Sequence, residues 1–154
     1  MKFFDVLPQL AENELLKRGV MTDELLYCVK ADLDGDGGYV DVYITFTKDT
    51  LCILRGYEEY GKMKRGQKRK NLVSFTVSGY DEYPIDSIEE MYVDRYANSA
   101  RLMIKDKSGK EFPIARFSLG FADKFEKFSQ RVNCTAKNEP IDDRLLEGVK
   151  THCP

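Results

Sequence analysis

The alternation of apolar and polar residues along this chain is that of β-strands. It is clearest at 40–46, where apolar residues occupy every second position and so place one face toward a core. Between Tyr57 and Asn71 the alternation is absent, and the polar and glycine residues there predict a loop. The strands that the pattern predicts run through residues 24–30, 40–47, 50–56, 72–77, 91–96, 102–105 and 112–114, the last two joined by a Ser108-Gly109 turn.

Two other stretches have the three-to-four-residue periodicity of helices. The first covers about Pro8 to Arg18 and predicts a short helix that ends at Gly19. The second follows Ser118, its predicted N-cap, and places Lys124 on the face opposite to an apolar stripe. Phe125 lies at the centre of that stripe and is expected to be almost fully buried. The stripe consists of Phe121, Phe125, Phe128 and Val132.

About seven antiparallel strands followed by one striped helix predict a mainly β (α+β) fold. Because such a sheet leaves open ends, we expect the C-terminal helix to cap the end of a barrel or sandwich. This order, with strands first and the capping helix last, resembles that of the pleckstrin-homology-like barrels; an all-β sandwich with an incidental terminal helix is the alternative. The predicted division is an N-terminal helical segment at 1–20, a pleckstrin-homology-like domain at 21–133 and a linker at 134–154.

Composition and charge exclude some classes of function. The chain has 154 residues, 42% of them hydrophobic and 32% charged, an ordinary balance for a globular domain. Its net charge of -2 gives no overall attraction to nucleic acid, which is not expected as a partner. No stretch approaches the roughly 20 apolar residues of a membrane span. Four cysteines without a C-x-x-C pair favour buried, reduced thiols in a cytoplasmic protein; disulfides are the alternative.

The predicted loop after the third strand carries a basic cluster. Such a cluster suits contact with an anionic membrane surface, where each basic residue contributes about 1 kcal/mol; a solvated loop is the alternative. No aromatic residues are interleaved to stack on nucleic-acid bases. The segment G-K-M-K-R-G-Q-K also lacks the Gly-Lys-Ser/Thr end of a phosphate-binding loop. The cluster consists of Lys62, Lys64, Arg65, Lys68, Arg69 and Lys70.

The segment D-L-D-G-D-G at 32–37 matches the first half of an EF-hand calcium loop. The position that needs a bidentate carboxylate is Tyr43, and strands rather than helices are predicted on either side. A glycine-rich turn is therefore predicted here, and no metal or cofactor site. The one histidine, His152, lies in the predicted linker, so no catalytic Ser-His or Cys-His arrangement is predicted and the chain is not expected to be an enzyme.

Several short motifs, taken in order, are similar to the N-terminal cytoplasmic region of ABC transporter proteins of Gram-positive gut bacteria. They are D-L-D-G-D-G, T-K-D-T-L, E-Y-P-I-D-S-I-E-E-M, I-A-R-F-S and F-E-K-F-S-Q-R-V-N. The terminal T-H-C-P resembles the opening of a zinc ribbon that follows this region in the family.

The resemblance implies a non-catalytic accessory domain on the cytoplasmic side of an ATP-driven transporter. Its partner would be the rest of that transporter or a partner domain, and no functional residue of the family is carried over. The alternative function is a free-standing membrane-surface module that binds anionic lipid through the basic loop at 62–70.

Overall fold

A computed structural model describes residues 2–63, 65–66 and 71–141 of the chain. The strands of this part are β1 (Lys2–Phe3), β2 (Tyr27–Asp34), β3 (Tyr39–Phe46), β4 (Thr50–Tyr60), β5 (Leu72–Pro84), β6 (Ile88–Arg95), β7 (Ser99–Asp106) and β8 (Glu111–Ser118). The helices are α1 (Gln9–Lys17) and α2 (Ala122–Ala136), with 3₁₀ turns at Thr22–Glu24, Ile85–Ser87 and Leu119–Phe121. The prediction of a mainly β chain with a short N-terminal helix and a C-terminal helix is confirmed.

Seven strands form one antiparallel sheet in the order β5-β4-β3-β2-β8-β7-β6, and β1 pairs with β2 in parallel. β2 connects the two halves, because it pairs with β3 and its residues Leu33 and Asp34 also pair with Arg116 and Ala115 of β8. A bulge between Ala31 and Leu33 lies where the strand gains this second partner. Within the described residues the outer strands β5 and β6 do not pair, so the prediction of a closed barrel is wrong.

The larger core lies between one face of this sheet and α2. The apolar face predicted for 40–46 is buried there, together with Phe125, Phe128 and Val132 of α2. Phe125 stacks on Phe117 with 3.8 Å between ring centroids. Phe121 is 53% exposed, because it belongs to the 3₁₀ turn that precedes α2. The predicted stripe is therefore confirmed except at Phe121, where it is wrong.

The start of α2 also differs from the prediction. Ser118 precedes the 3₁₀ turn and makes no side-chain capping hydrogen bond, so it is not the N-cap of the helix. Lys124 is only partly exposed: its Nζ lies 2.7 Å from Asp5 Oδ2 and 5.2 Å from the centre of the Phe125 ring. The chain from β1 brings Asp5 to this position, a long-range contact that helical periodicity does not report.

Helix α1 covers the opposite face of the central strands. Its residues Ala11 and Leu15 pack with Cys28, Tyr43 and Leu54 in a second apolar cluster. The alternation along β3 places Tyr43 on the face away from the larger core, and α1 buries that face as well. The central strands are thus covered on both sides.

Several strand ends lie outside their predicted limits. β2 begins at Tyr27 because the residues before it form a 3₁₀ turn, and it runs on to Asp34. β4 continues to Tyr60 and β5 to Pro84, so the two form a long hairpin that includes residues predicted as loop. Polar pairs connect its arms, such as Ser74 Oγ with Glu59 Oε2 at 3.2 Å.

The cysteines divide into two kinds. Cys28 and Cys52 are buried free thiols, as predicted, and burial raises the pKa of each. Cys134 is disulfide-bonded, so the prediction of a reduced thiol is wrong there. Cys153, His152 and the rest of the predicted linker after residue 141 lie outside the described residues.

Candidate interaction surfaces

The predicted basic loop lies at the turn of the β4–β5 hairpin. Gly61 N donates to Asn71 O at 2.8 Å and so closes the two arms at this end. Lys62 and Arg65 are both exposed. The other members of the predicted cluster, Lys64, Lys68, Arg69 and Lys70, lie outside the described residues.

Large apolar side chains are exposed beside these cations. Met63 follows Lys62 in the turn, and Tyr60 and Val73 lie on the adjoining ends of the two arms. Val73 is 59% exposed. Cationic and apolar side chains on one surface are typical of segments that contact membranes or partner proteins. Sequence patterning missed Tyr60 and Met63 because it assigned 57–71 to a loop, although tyrosine and methionine beside the lysines were a visible signal. Val73 was predicted within the strand at 72–77, and its exposure was not.

A buried carboxylate lies near the turn of the hairpin. The Glu58 side chain is 1% exposed and accepts hydrogen bonds from the hydroxyls of Tyr43 and Tyr60. Lys30 Nζ lies 3.3 Å from Oε2 of Glu58. Burial, reinforced by the hydrogen bond to Glu58, raises the pKa of Tyr43 and raises the pKa of Tyr60 to about 12. These groups satisfy one another, so the arrangement fixes the hairpin to β2 and β3.

The aspartates of the D-L-D-G-D-G segment are also used within the protein. Asp34 Oδ1 accepts from Arg55 Nε at 3.0 Å, and Asp36 Oδ1 accepts from Gly38 N at 2.9 Å. The predicted turn is present, with Gly37 at φ +91°, a conformation that favours glycine. Across the described part of the chain, no group of three or more acidic, histidine or cysteine side chains is arranged to hold a metal ion.

A cavity of about 550 Å³ opens between the β5–β6 connection and the β7–β8 hairpin. Ile88 and Ile104 are buried at its base, and the rings of Tyr83 and Phe112 lie 5.4 Å apart beside it. Its rim carries two lysines and two serines. These are Ser87, Lys107, Ser108 and Lys110. The sequence predicted the β7–β8 hairpin but not this cavity, which depends on residues brought together from four strands.

A second cavity of about 400 Å³ lies where β2 and β8 separate, and we call it the β2–β8 cavity. Tyr39 and Phe121 line it although both are largely exposed, and Tyr39 is 87% exposed. Arg116 lines it from β8. The remaining lining residues are Asp5, Lys30, Ala31, Asp32, Leu33, Phe117, Ser118, Lys124 and Phe125. No residue of this cavity was predicted as part of a site.

Comparisons with protein-family models, with curated proteins and with solved structures give no match to this chain. The molecule is defined by its own architecture: a mainly β domain with one open antiparallel sheet and a helix on each side. No helix in the described residues has the length and apolar character needed to cross a membrane.

Proposed function

We propose that this chain is a non-catalytic accessory domain of an ABC-type, ATP-driven transporter and acts at the cytoplasmic face of the membrane. Two features support the proposal. The ordered motifs resemble the N-terminal region of such proteins, and the strands followed by a packed C-terminal helix agree with a pleckstrin-homology-like module. The observation that carries it is the β4–β5 hairpin, whose exposed Tyr60, Met63 and Val73 adjoin Lys62 and Arg65.

The polar network near the hairpin supports a non-catalytic role. The carboxylates with the most developed surroundings, Glu58 and Asp34, already accept hydrogen bonds from fixed neighbours. A general base must instead reach a substrate proton. These groups are therefore better suited to positioning the hairpin than to chemistry.

Co-purification tests this proposal. The tagged chain is co-expressed with the membrane and ATPase parts of ABC transporters from its own source, and the membranes are solubilised in detergent. We expect one transporter to be retained, and a Met63→Asp and Val73→Asp double variant to lose it because a charge replaces each exposed apolar contact. Val6→Asp is the matched control, since Val6 is exposed outside the hairpin. If the wild-type chain retains no ABC transporter, the proposal is wrong.

A second candidate is a free-standing module that binds anionic lipid through the basic loop. The position of Met63 among the cations favours it, since an apolar side chain can enter the headgroup region while lysine and arginine contact phosphates. Vesicles of phosphatidylcholine, with and without phosphatidylserine, provide the test. We expect sedimentation only with phosphatidylserine, weakening with added salt and lost in Lys62→Glu with Arg65→Glu.

The paired control is Lys107→Glu with Lys110→Glu, which reverses the same number of charges at the 550 Å³ cavity. Equal loss of sedimentation in both double variants would show a general charge effect and contradict the loop as the lipid site. If the chain sediments with vesicles that contain no transporter, the result supports the lipid-binding module as distinct from the transporter accessory domain.

A further inference from the structure

We infer that the β2–β8 cavity binds an extended acidic peptide segment of a partner protein, with Arg116 receiving the carboxylate. The inference rests on the proposed function as an interaction domain and adds to it a surface and the chemistry of the partner.

Arg116 carries a charge that the described part of the chain does not neutralise. It lies directly across from Arg101 in the β7–β8 pairing, and like charges in this position destabilise a sheet. Arg101 has Asp94, whose Oδ2 lies 3.5 Å from its Nη2, although the buried Nε of Arg101 also has no hydrogen-bond partner among the described residues. Arg116 forms no ion pair with a described residue, and its buried Nε has no hydrogen-bond partner there. A position that violates a local rule without compensation is a candidate for function.

The other cations of the cavity are already paired. Lys124 Nζ lies 2.7 Å from Asp5, and Lys30 Nζ lies 3.3 Å from Glu58 and 3.5 Å from Asp41. A new carboxylate would therefore gain most from Arg116. The planar guanidinium can donate two parallel hydrogen bonds to a carboxylate, which is the stronger form of such contacts.

The guanidinium of Arg116 lies against Gly37. A Cβ at position 37 would lie 3.2 Å from Arg116 Nη1, closer than most side-chain contacts, and the backbone there has φ +91°. Glycine at position 37 therefore permits both the positive φ of the turn and the close approach of the arginine side chain. This contact places the charged end of Arg116 beside the D-L-D-G-D-G turn, at the edge of the cavity that also includes Tyr39.

An extended peptide fits this surface better than a free anion. Tyr39 and Phe121 offer exposed rings on the cavity, and aromatic residues with arginine are typical of the residues that dominate binding energy at protein interfaces. β8 also pairs with β2 only at Arg116 and Ala115, whereas Phe117 and Ser118 pair with β7 alone. An added strand can form main-chain hydrogen bonds at such a place. We expect Asp or Glu next to an apolar residue in the bound segment.

Selection from a displayed library of random peptides tests the inference. The wild-type chain should enrich peptides with an acidic residue beside an apolar one, and Arg116→Gln should not. A selected peptide, titrated by fluorescence anisotropy, should bind Arg116→Gln at least about tenfold more weakly, the loss expected for a charge-assisted contact. A peptide in which the acidic residue is replaced by its amide should bind wild type about as weakly as the original peptide binds Arg116→Gln. The same replacement should not weaken binding to Arg116→Gln any further. Arg18→Gln is the matched control.

Folding is checked in the same variants. Arg116→Gln should keep or raise the melting temperature of wild type, because it removes a repulsion with Arg101 and no described ion pair. Enriched peptides that bind wild type and Arg116→Gln equally, or a selection without acidic peptides, would overturn the inference. Binding of inorganic phosphate that depends on Arg116, without any acidic peptide, would mark an oxyanion site and reject the peptide.

The two proposals fail separately. If the transporter is retained while the selected peptides ignore Arg116, the inference is wrong and the proposed function stands. If acidic peptides bind through Arg116 while no transporter is retained, the proposed function is wrong and the cavity remains a peptide site.

Discussion

Phe125 is the side chain on which the attachment of α2 most depends. It is 1% exposed and stacks on Phe117 in the larger core. Phe125→Ala removes this contact and leaves a cavity, which costs about 3 to 5 kcal/mol. Because domains are stable by roughly 5 to 15 kcal/mol, the variant should be barely folded. Urea denaturation followed by circular dichroism measures the loss.

Phe121→Ala is the matched control, a phenylalanine in the 3₁₀ turn immediately before the same helix. Phe121 is largely exposed, so this variant should stay within about 0.5 kcal/mol of wild type. Lys124→Ala is a poorer control than helical periodicity suggests, because Lys124 pairs with Asp5 and lies over two aromatic rings. Equal stability of Phe125→Ala and Phe121→Ala would show that α2 does not share the core of the sheet.

Tyr60 provides a pH test of the Glu58 network near the turn of the hairpin. Burial, together with the hydrogen bond to Glu58, raises the pKa of Tyr60 to about 12 from 10.0. A group whose pKa is higher in the folded state stabilises it below the unfolded pKa, and this stability is lost as the pH rises through the folded pKa. The free energy of unfolding should therefore fall between about pH 10 and 12.

Tyr60→Phe should make this alkaline fall shallower, which urea midpoints measured across the range would show. Tyr39→Phe removes a hydroxyl from an exposed ring and is the control. If the free energy of unfolding falls equally steeply with pH in Tyr60→Phe, the loss of stability comes from other tyrosines.

At the scale of elements, α2 protects one edge of the open sheet. Met91 N donates to Asn133 Oδ1 at 2.7 Å, and Asn133 Nδ2 donates to Met91 O at 2.9 Å. Asn133→Ala leaves both backbone groups of Met91 buried without these partners, which costs about 1 to 3 kcal/mol. Hydrogen exchange at the Met91 amide should become faster. Asn13→Ala changes the same residue type at an exposed position of α1 and should be nearly neutral.

If Asn133→Ala exchanges at Met91 as slowly as wild type, the edge of β6 is covered by something other than this side chain. If the Met91 amide exchanges at the wild-type rate in Asn13→Ala but faster in Asn133→Ala, then Asn133 is the side chain that protects the edge of β6.

Local patterns predicted the elements whose burial follows their own periodicity. Alternate residues at 40–46 and the stripe through Phe125 report one buried face each, and both were predicted. The burial of Tyr43 depends on α1, a long-range contact that alternation within β3 does not contain. The extension of β4 to Tyr60 depends on cross-strand register between polar residues. The position of the basic loop was predictable, whereas the β2–β8 cavity requires the topology that brings Arg116 to Tyr39.

At the scale of the whole molecule, the described helices and the sheet form a three-layered arrangement. Helix α2 packs on one face and α1 on the other, so the strands between them contribute to both apolar clusters. Because Tyr27 and Cys28 are adjacent in β2 yet belong to different clusters, loss of either layer should disturb the same strands. We therefore expect unfolding in one cooperative transition.

Leu15→Ala tests whether α1 is integral to this unit or a separable segment within residues 1–20. Leu15 is fully buried in the cluster with Leu54, and its truncation should cost about 2 to 5 kcal/mol. If α1 belongs to the cooperative unit, the single urea transition moves to lower denaturant with an unchanged slope, and fluorescence and circular dichroism report the same midpoint.

Leu16→Ala is the matched control, since the neighbouring leucine is 48% exposed. A Leu15→Ala variant that loses helix signal early, while the transition of the sheet stays in place, would show that residues 1–20 fold separately. The interaction surfaces on the β4–β5 hairpin would then be independent of α1.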